Sequence, residues 1–417
     1  MPEVRIVEGE CLESLRRMPG GSVQCCVTSP PYYGLRSYLP KGHKDKHLEI
    51  GLEATPEAYV ARMVEVFREV RRVLRQDGTL FLNIGDSYAS GTKGSGGTGK
   101  STLLMDGREE SQRIRTADRS NGAAKFGTRS YDLSAAGLKP KDMIGIPWML
   151  AFALRADGWW LRQEIIWDKP NPMPSSVRDR CTTSHEHLFL LAKSANYYCD
   201  MEAISEESLY PPGTRRDVEK GGFDSKWAGG GARAGDESFR AIRERRNKRS
   251  VWRIPPSPYA EAHFAVMPEK LVEPCIMAGT SAEGCCPRCG APRRRVVERQ
   301  RRATRPGRDT KVMPEEGRLE GLVTGNRDPQ RHVTLARTTG WEAGCPCPPA
   351  EPLPCTVLDP FAGSGTVPAV AVRLGRSAVG LELNPEYALL ARKRCAKAAG
   401  LNPLFEAATV ELESKGN

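Results

Sequence analysis

Short apolar runs alternate along the chain with stretches whose apolar residues recur every three or four positions, the pattern of an α/β protein in which strands and helices take turns. The first clear strand is Val23–Thr28, closed by the turn-rich sequence Ser-Pro-Pro-Tyr-Tyr-Gly. A helix is expected from Pro56. Thr55 can cap it, proline suits the first helical position, and Tyr59, Met63, Val66, Val70 and Val73 fall on one face. Gly78 is expected to stop this helix, with residues 79–84 as the next strand. The same reading places helices over 144–155 and 268–278, and strands over 159–167 and 187–191. The chain closes with a strand Thr356–Asp359, a Gly-rich turn, a helix, a strand over 378–383 and a helix over 385–399, a complete βαβα unit.

Three polar stretches interrupt this alternation. Residues 86–141 are rich in Gly, Ser and charge and read as a mobile insertion. Residues 205–250 end in the basic cluster Arg240, Arg243, Arg245, Arg246, Lys248 and Arg249, and residues 283–354 are rich in Cys, Arg and Pro. Lys and Arg outnumber Asp and Glu by 62 to 51, and the +11 charge favours an anionic partner, nucleic acid before membrane. With no run of about 18 apolar residues and no basic-then-apolar start, neither a membrane span nor export is expected, so a cytosolic location follows. Thirteen cysteines in that compartment stay reduced, which favours metal ligation over disulfides where they cluster.

The segment Val-Leu-Asp-Pro-Phe-Ala-Gly-Ser-Gly-Thr sets glycines between an apolar strand and a helix, where backbone can approach a ligand and the helix N-terminus faces it. The second strand of the unit ends at Glu382, positioned to accept both hydroxyls of a ribose. Together these features indicate a nucleoside cofactor. Gly363 and Gly365 are spaced more tightly than the glycines of dinucleotide enzymes, which argues against NAD. A glycine turn that serves only helix and sheet packing is the bland alternative.

The heptapeptide Thr-Ser-Pro-Pro-Tyr-Tyr-Gly at the end of one strand, together with Asp-Pro-Phe-Ala-Gly-Ser-Gly-Thr at the end of another, resembles the amino-methyltransferases that act on DNA. The resemblance implies a doubly wound, mostly parallel, Rossmann-like sheet with S-adenosylmethionine as cofactor. It further implies that Ser29, Pro30, Pro31 and Tyr32 are the catalytic motif. Asp359, Pro360, Phe361, Gly363, Gly365, Thr366 and Glu382 would then bind the cofactor. The catalytic motif precedes the cofactor motif by more than 300 residues, which resembles the β-group order. The likeness runs on through GWWLRQEIIWDKPNPMPSS, SHEHLFLLAKS and the closing unit, about half of the chain. Residues 266–271 resemble, in altered form, the segment that closes over the methionine end of the cofactor.

The chemistry supplies its own reason for such a motif. An exocyclic amine is a poor nucleophile, because its lone pair is delocalised into the ring. Ser29 Oγ and the Pro30 carbonyl can accept the amino hydrogens while two prolines fix the backbone, and Tyr32 can stack on the extruded base. The base lies inside the duplex, so flipping it out costs a few kcal/mol that contacts elsewhere must return. Serine at the first position resembles enzymes of cytosine N4, and aspartate there those of adenine N6. Cytosine N4 is therefore expected, with adenine N6 as the alternative. An ordinary proline turn is the rival for the motif alone.

Cys286 and Cys289 have the spacing of a zinc knuckle, and Cys345 and Cys347 can complete a four-sulfur structural Zn2+ site. Redox use of the first pair is the rival, but no thioredoxin-like unit accompanies it. Arg293, Arg294, Arg295, Arg301 and Arg302 lie between the pairs and would track phosphates. Cys25, Cys26, Cys181 and Cys275 read as packing residues. Gly94 to Ser101 fits the phosphate-loop pattern, but no buried strand precedes it, and nucleotide hydrolysis is set aside. A zinc-containing DNA-binding protein without catalysis is the reading from another class.

The expected division is a catalytic part over 1–199 with the mobile insertion, a target-recognition insertion over 200–250, a return to the sheet over 251–282, a zinc-binding insertion over 283–350, and a cofactor-binding part over 351–417. Target choice is expected in 200–250, with 86–141 as a second contributor. Double-stranded DNA is the expected partner in a prokaryotic or phage cytoplasm. A homodimer and a cognate restriction endonuclease are further candidate partners.

Overall fold

A computed structural model describes residues 2–35, 37–39, 42–89, 137–172, 174, 175, 177–208, 242, 243, 245–257, 266–303 and 332–400. In chain order the elements are β1 (Val4–Glu8), α1 (Cys11–Arg17), β2 (Val23–Thr28), α2 (Pro56–Val73), β3 (Leu74–Ile84), α3 (Ile146–Ala156), β4 (Trp160–Asp168) and β5 (His185–Ala192). They continue with β6 (Glu206–Glu207), β7 (Ile242–Arg243), β8 (Arg245–Arg246), β9 (Val251–Arg253) and α4 (Glu269–Gly279). The last are β10 (Arg294–Ala303), β11 (His332–Glu342), β12 (Thr356–Asp359), α5 (Thr366–Arg373), β13 (Ser377–Glu382) and α6 (Pro385–Ala398). Two compact units result, one of residues 1–200, 249–293 and 343–417, the other of 201–248 and 294–342.

The larger unit is built on an eight-stranded sheet in the order β1-β13-β12-β2-β3-β5-β4-β9. The first five strands run parallel, β5 is antiparallel to both β3 and β4, and β9 pairs parallel with β4. This is the expected mostly parallel, doubly wound α/β sheet. β2 is buried at all of its positions, as a strand covered on both faces requires. Helix α2 packs its apolar stripe into a core with Cys26, Leu80 and Leu82, whereas α4 lies over Cys25 and Thr79 on the opposite face. Helix α5 connects β12 to β13, and α6 packs back on β1.

Local signals account for most boundaries. Thr55 Oγ accepts from Ala58 N at 3.2 Å and caps α2, with Pro56 inside the first turn. One expectation fails here, because Gly78 does not stop α2. The helix ends at Val73, Leu74 turns extended, and Gly78 lies inside β3 where the register with β2 shifts. The pairing of Val23 with Leu74 takes over from helix propensity at that point. The sequence reading also passed over β1 and α1, which lie between the start and its first strand.

β2 and β12 are neighbours, with Val357 opposite Cys25 and Leu358 opposite Cys26. From β12 the sheet grows outward to β13, and from β2 outward to β3. The strand order therefore reverses between them, which in open α/β sheets opens a crevice at the carboxyl ends. At that same edge Asp86, just after β3, accepts from Gly145 N and Ile146 N at 3.0 and 3.1 Å and so caps α3. Ala89 N donates to Asp142 O at 2.8 Å. The two ends of the 86–141 insertion are thus tied together, while its residues 90–136, including the phosphate-loop-like Gly94 to Ser101, lie outside the described residues.

The smaller unit corrects the expected domain division. Residues 200–250 and 283–350 do not form separate insertions. Strand β7 pairs parallel with β11 (Ile242 with Val333, Arg243 with Thr334), and β11 pairs antiparallel with β10, joining the two chain segments in one sheet. Residues 284–293 and 343–350, with the four clustered cysteines, belong to the larger unit. Pairing between strands some ninety residues apart leaves no trace in local spacing. Among the described residues no helix is long and apolar enough to cross a membrane.

Candidate functional site

The turns that follow β2 and β12 emerge side by side and line one cavity of about 960 Å³. They are joined beneath it, where Thr28 Oγ1 donates to Asp359 Oδ1 at 2.7 Å. Phe361 N donates to the same oxygen at 3.1 Å and shapes the turn. Burial lifts the Asp359 carboxyl to a pKa of about 7, and the nearby Glu382 adds to the shift.

On the glycine side, Gly365 caps α5 with φ of +79°, a conformation open to glycine at little cost. A methyl group there would also sit 2.7 Å from Ala391 Cα, so α6 crosses too closely for any side chain. Thr366 begins α5, and its Oγ1 accepts from Arg394 Nη1 at 2.8 Å. Glu382, at the end of β13, accepts from Gly363 N at 2.7 Å through one oxygen and from Asn384 N at 2.8 Å through the other. Each oxygen retains a second lone pair for a ligand hydroxyl. Burial raises its pKa. Pro360, Phe361, Val266 and Met267 complete this side of the cavity. A half-buried carboxylate beside a glycine turn, in a cavity of this volume, fits a nucleoside cofactor.

On the other side stand Ser29, Pro30, Pro31 and Tyr32. The Pro31 carbonyl accepts from Tyr59 Oη at 2.8 Å, so α2 anchors the proline turn. Tyr32 lies with its ring against Gly85, where a methyl group would approach the ring to 2.6 Å. Its hydroxyl donates to Glu186 Oε2 at 2.7 Å, and Ser29 Oγ donates to Tyr32 Oη at 3.4 Å. Burial, then the adjacent Glu186 charge, raises the Tyr32 phenol well above its usual range and keeps it protonated. Asn83 Nδ2 and Lys169 Nζ also donate to Glu186, and Lys169 sits 4.4 Å above the Trp167 ring. Sequence reasoning assigned no role to Asn83, Lys169 or Glu186. The peptides that hold the last two, Trp-Asp-Lys-Pro and Ser-His-Glu-His, were legible only as part of a family likeness.

Elsewhere in the larger unit, one ligand atom each from Cys286, Cys289, Cys345 and Cys347 lies within 4.8 Å of all the others. A tetrahedron with Zn–S bonds of about 2.3 Å has edges of about 3.8 Å, so the four sulfurs fit a zinc ion after small adjustments. The amides of Cys289 and Arg288 point at Cys286 and lower its pKa to about 6, while the hydrogen bonds that the Cys347 thiol donates to Cys289 and Cys345 raise its own pKa to about 12. Cys285 is buried and accepts a hydrogen bond from the Cys355 thiol, outside this cluster. Cys25, Cys26 and Cys275 are buried, but Cys181 is exposed, so the packing role expected for it is corrected. In the smaller unit, Arg295 stacks 4.4 Å from the Trp341 ring centre, and Arg294, Arg299 and Arg337 are exposed on the β10–β11 hairpin.

A family model described as DNA methylase matches residues 23–286 and 355–393. The chain is 37% identical to the Type II methyltransferase M.Cfr9I of Citrobacter freundii over 93% of its length and 86% of that protein. It is 34% identical to the Type II methyltransferase M.SmaI of Serratia marcescens over 94% of its length and 90% of that protein. Among solved structures, PvuII DNA methyltransferase, described as cytosine-N4-specific, aligns with a TM-score of 0.48 at 14% identity, over 94% of this chain and 86% of that one.

Proposed function

The chain belongs to the DNA methylase family of S-adenosylmethionine-dependent enzymes acting on cytosine N4 or adenine N6, and from that premise we propose that it methylates N4 of a cytosine extruded from double-stranded DNA. The observation that carries the reading is the cavity shared by the Ser29 turn and the glycine turn, on neighbouring parallel strands. S-adenosylmethionine, when bound, supplies a methyl group made electrophilic by its sulfonium. Asp359, Pro360, Phe361, Gly363, Gly365, Thr366 and Glu382 hold the cofactor in this reading, with Glu382 accepting from the ribose. Ser29 Oγ and the Pro30 carbonyl accept the amino hydrogens, Pro31 stiffens the turn, and Tyr32 offers its ring to the flipped base. Serine rather than aspartate at position 29 favours cytosine N4 over adenine N6.

Zinc held by Cys286, Cys289, Cys345 and Cys347 has a structural part in this reading, because four thiolates leave no open coordination position. The Type II designation of the relatives supports a place in a restriction–modification pair, with a cognate endonuclease as partner. The test is methyl transfer from isotopically labelled cofactor to DNA of mixed sequence, followed by digestion to nucleosides and mass spectrometry. N4-methylcytosine is expected from the wild type, and Ser29→Ala should lower its yield at least about 100-fold with cofactor binding retained. N6-methyladenine would replace the cytosine assignment, and no methylated nucleoside would end the reading.

A further inference from the structure

Ser29, Tyr32 and Glu186 form a hydrogen-bonded line along the cavity wall. Ser29 Oγ donates to Tyr32 Oη at 3.4 Å, and Tyr32 Oη donates to Glu186 Oε2 at 2.7 Å. A second acceptor near the phenol, Asn83 Oδ1, is farther away at 3.3 Å. The Asn83 amide is oriented by its own donation to the His187 carbonyl at 3.1 Å. The other oxygen of Glu186 accepts from Lys169 Nζ. The line therefore has a direction, with each hydroxyl proton turned toward a carboxylate that a cation holds in place. Both lone pairs of Ser29 remain for an incoming N–H.

Resting on the amino-methyl transfer reading above, we propose that Ser29, Tyr32 and Glu186 are a proton relay that carries the proton lost by the target amine to Glu186. When the N–C bond forms and the C–S bond breaks, the sulfur keeps the bonding pair and the nitrogen must shed one proton. That proton passes to Ser29 Oγ, the Ser29 hydroxyl proton passes to Tyr32 Oη, and the Tyr32 proton passes to Glu186 Oε2. Both hydroxyls end neutral and Glu186 ends as a carboxylic acid, so the positive charge that arrived with the methyl group is cancelled. Removing the proton as the nitrogen becomes tetrahedral raises electron density where the new bond forms. The Glu186 side chain is 18% exposed, so it can return the proton to water between turnovers. Tyr32 acts as a two-way hydroxyl in the line and never needs to ionise.

The charged and titratable groups facing Glu186 are Lys169 from the end of β4 and Tyr32 from the β2 turn. β3 offers only the neutral Asn83. On its own strand the neighbours are His185 and His187, and His187 Nδ1 is engaged by Glu164 of β4 at 2.6 Å. Glu186→Gln keeps an acceptor for the phenol yet cannot take its proton, and Tyr32→Phe keeps the ring but breaks the line. Single-turnover methyl transfer with saturating cofactor and DNA should fall about 100-fold in each variant at pH 7.5, with cofactor affinity within about threefold of wild type. Between pH 7 and 9.5 both deficits should shrink as hydroxide substitutes for the missing acceptor, a trend that mere distortion of the site would not produce. A Glu186→Gln rate within threefold of wild type, or a deficit that stays constant with pH, would overturn the relay. Because the wild type is assayed first for methylated nucleosides, failure of the relay is distinguishable from failure of the underlying function.

Discussion

Asp359 shows how a single buried group can tie the fold to the chemistry. It is 3% exposed, held by Thr28 and Phe361, and its pKa of about 7 lies well above the unfolded value near 3.8. Between those values the folded chain binds a proton that the unfolded chain has lost. Stability therefore falls as pH rises from about 4 to about 7, and the full cost of the buried charge is present above that range. The same ionisation puts a negative charge beside a cavity proposed to receive a cationic cofactor. Asp359→Asn, which keeps an acceptor for Thr28, should raise the melting temperature at pH 8 and leave it nearly unchanged at pH 4. In the wild type, affinity for S-adenosylmethionine should increase from pH 6 to 8, and in Asp359→Asn that increase should flatten. Calorimetric titration across this range checks both, and an equal pH response in the two proteins would refute the link. Ser29, Gly363 and Gly365 were legible in the sequence because turn chemistry is local. Glu186 and Asn83 were not, because their meaning depends on the antiparallel pairing that sets Leu188 against Asn83, and two strands with ordinary apolar patterns do not announce it.

Elements were read well where a cap or a turn residue marked them, as at Thr55 and Pro56. They were read poorly where strand pairing overruled local preference, as at Leu74 to Gly78 and in the union of β7 with β11. The cysteine knuckle stands between these cases. Its four cysteines could be grouped from spacing, but its attachment to the sheet could not. Gln24 of β2 donates through Nε2 to Gly290 O at 3.0 Å and accepts through Oε1 from Thr356 N at 2.6 Å. Arg75 of β3 donates to Cys289 O and is itself paired with Asp77 at 2.9 Å. The knuckle thus braces the starts of β2, β3 and β12, the three strands whose far ends carry Ser29, Gly85 and Asp359. In the zinc reading, purified protein should contain one zinc per chain by elemental analysis. Cys289→Ser or treatment with a strong chelator should lower the melting temperature by several degrees. Amides of residues 284–293 should then exchange faster with deuterium, ahead of those in α2. Full stability and unchanged exchange without metal would remove zinc from the structure.

At the scale of the whole molecule, positive charge is distributed unevenly. Segments 201–248 and 294–342 make up the smaller unit, where Lys and Arg outnumber Asp and Glu by 22 to 16, so under a quarter of the chain carries more than half of the net charge. Residues 287–354, which contain the β10–β11 hairpin, also lie outside the family model. The hairpin that lies outside the family model is rich in exposed positive charge. An antiparallel ribbon is narrow enough to enter a major groove, and exposed arginines along it can meet phosphates on either side. Arg295 is kept rigid by Trp341 and by donation to Thr338 Oγ1 at 2.9 Å, whereas Arg294, Arg299 and Arg337 are exposed. If these side chains hold DNA through its backbone, each contact releases a counterion and steepens the salt dependence of binding by about 0.9 in log–log slope. Replacing Arg294, Arg299 and Arg337 together by Gln should then weaken DNA binding at 0.1 M salt and reduce that slope by up to about 3. Cofactor affinity and melting temperature should stay within error of the wild type, because none of the three contributes to the sheet core. Fluorescence anisotropy titrations at four or five salt concentrations measure the slope directly. An unchanged slope would move phosphate contact off the hairpin and onto the basic residues of the larger unit.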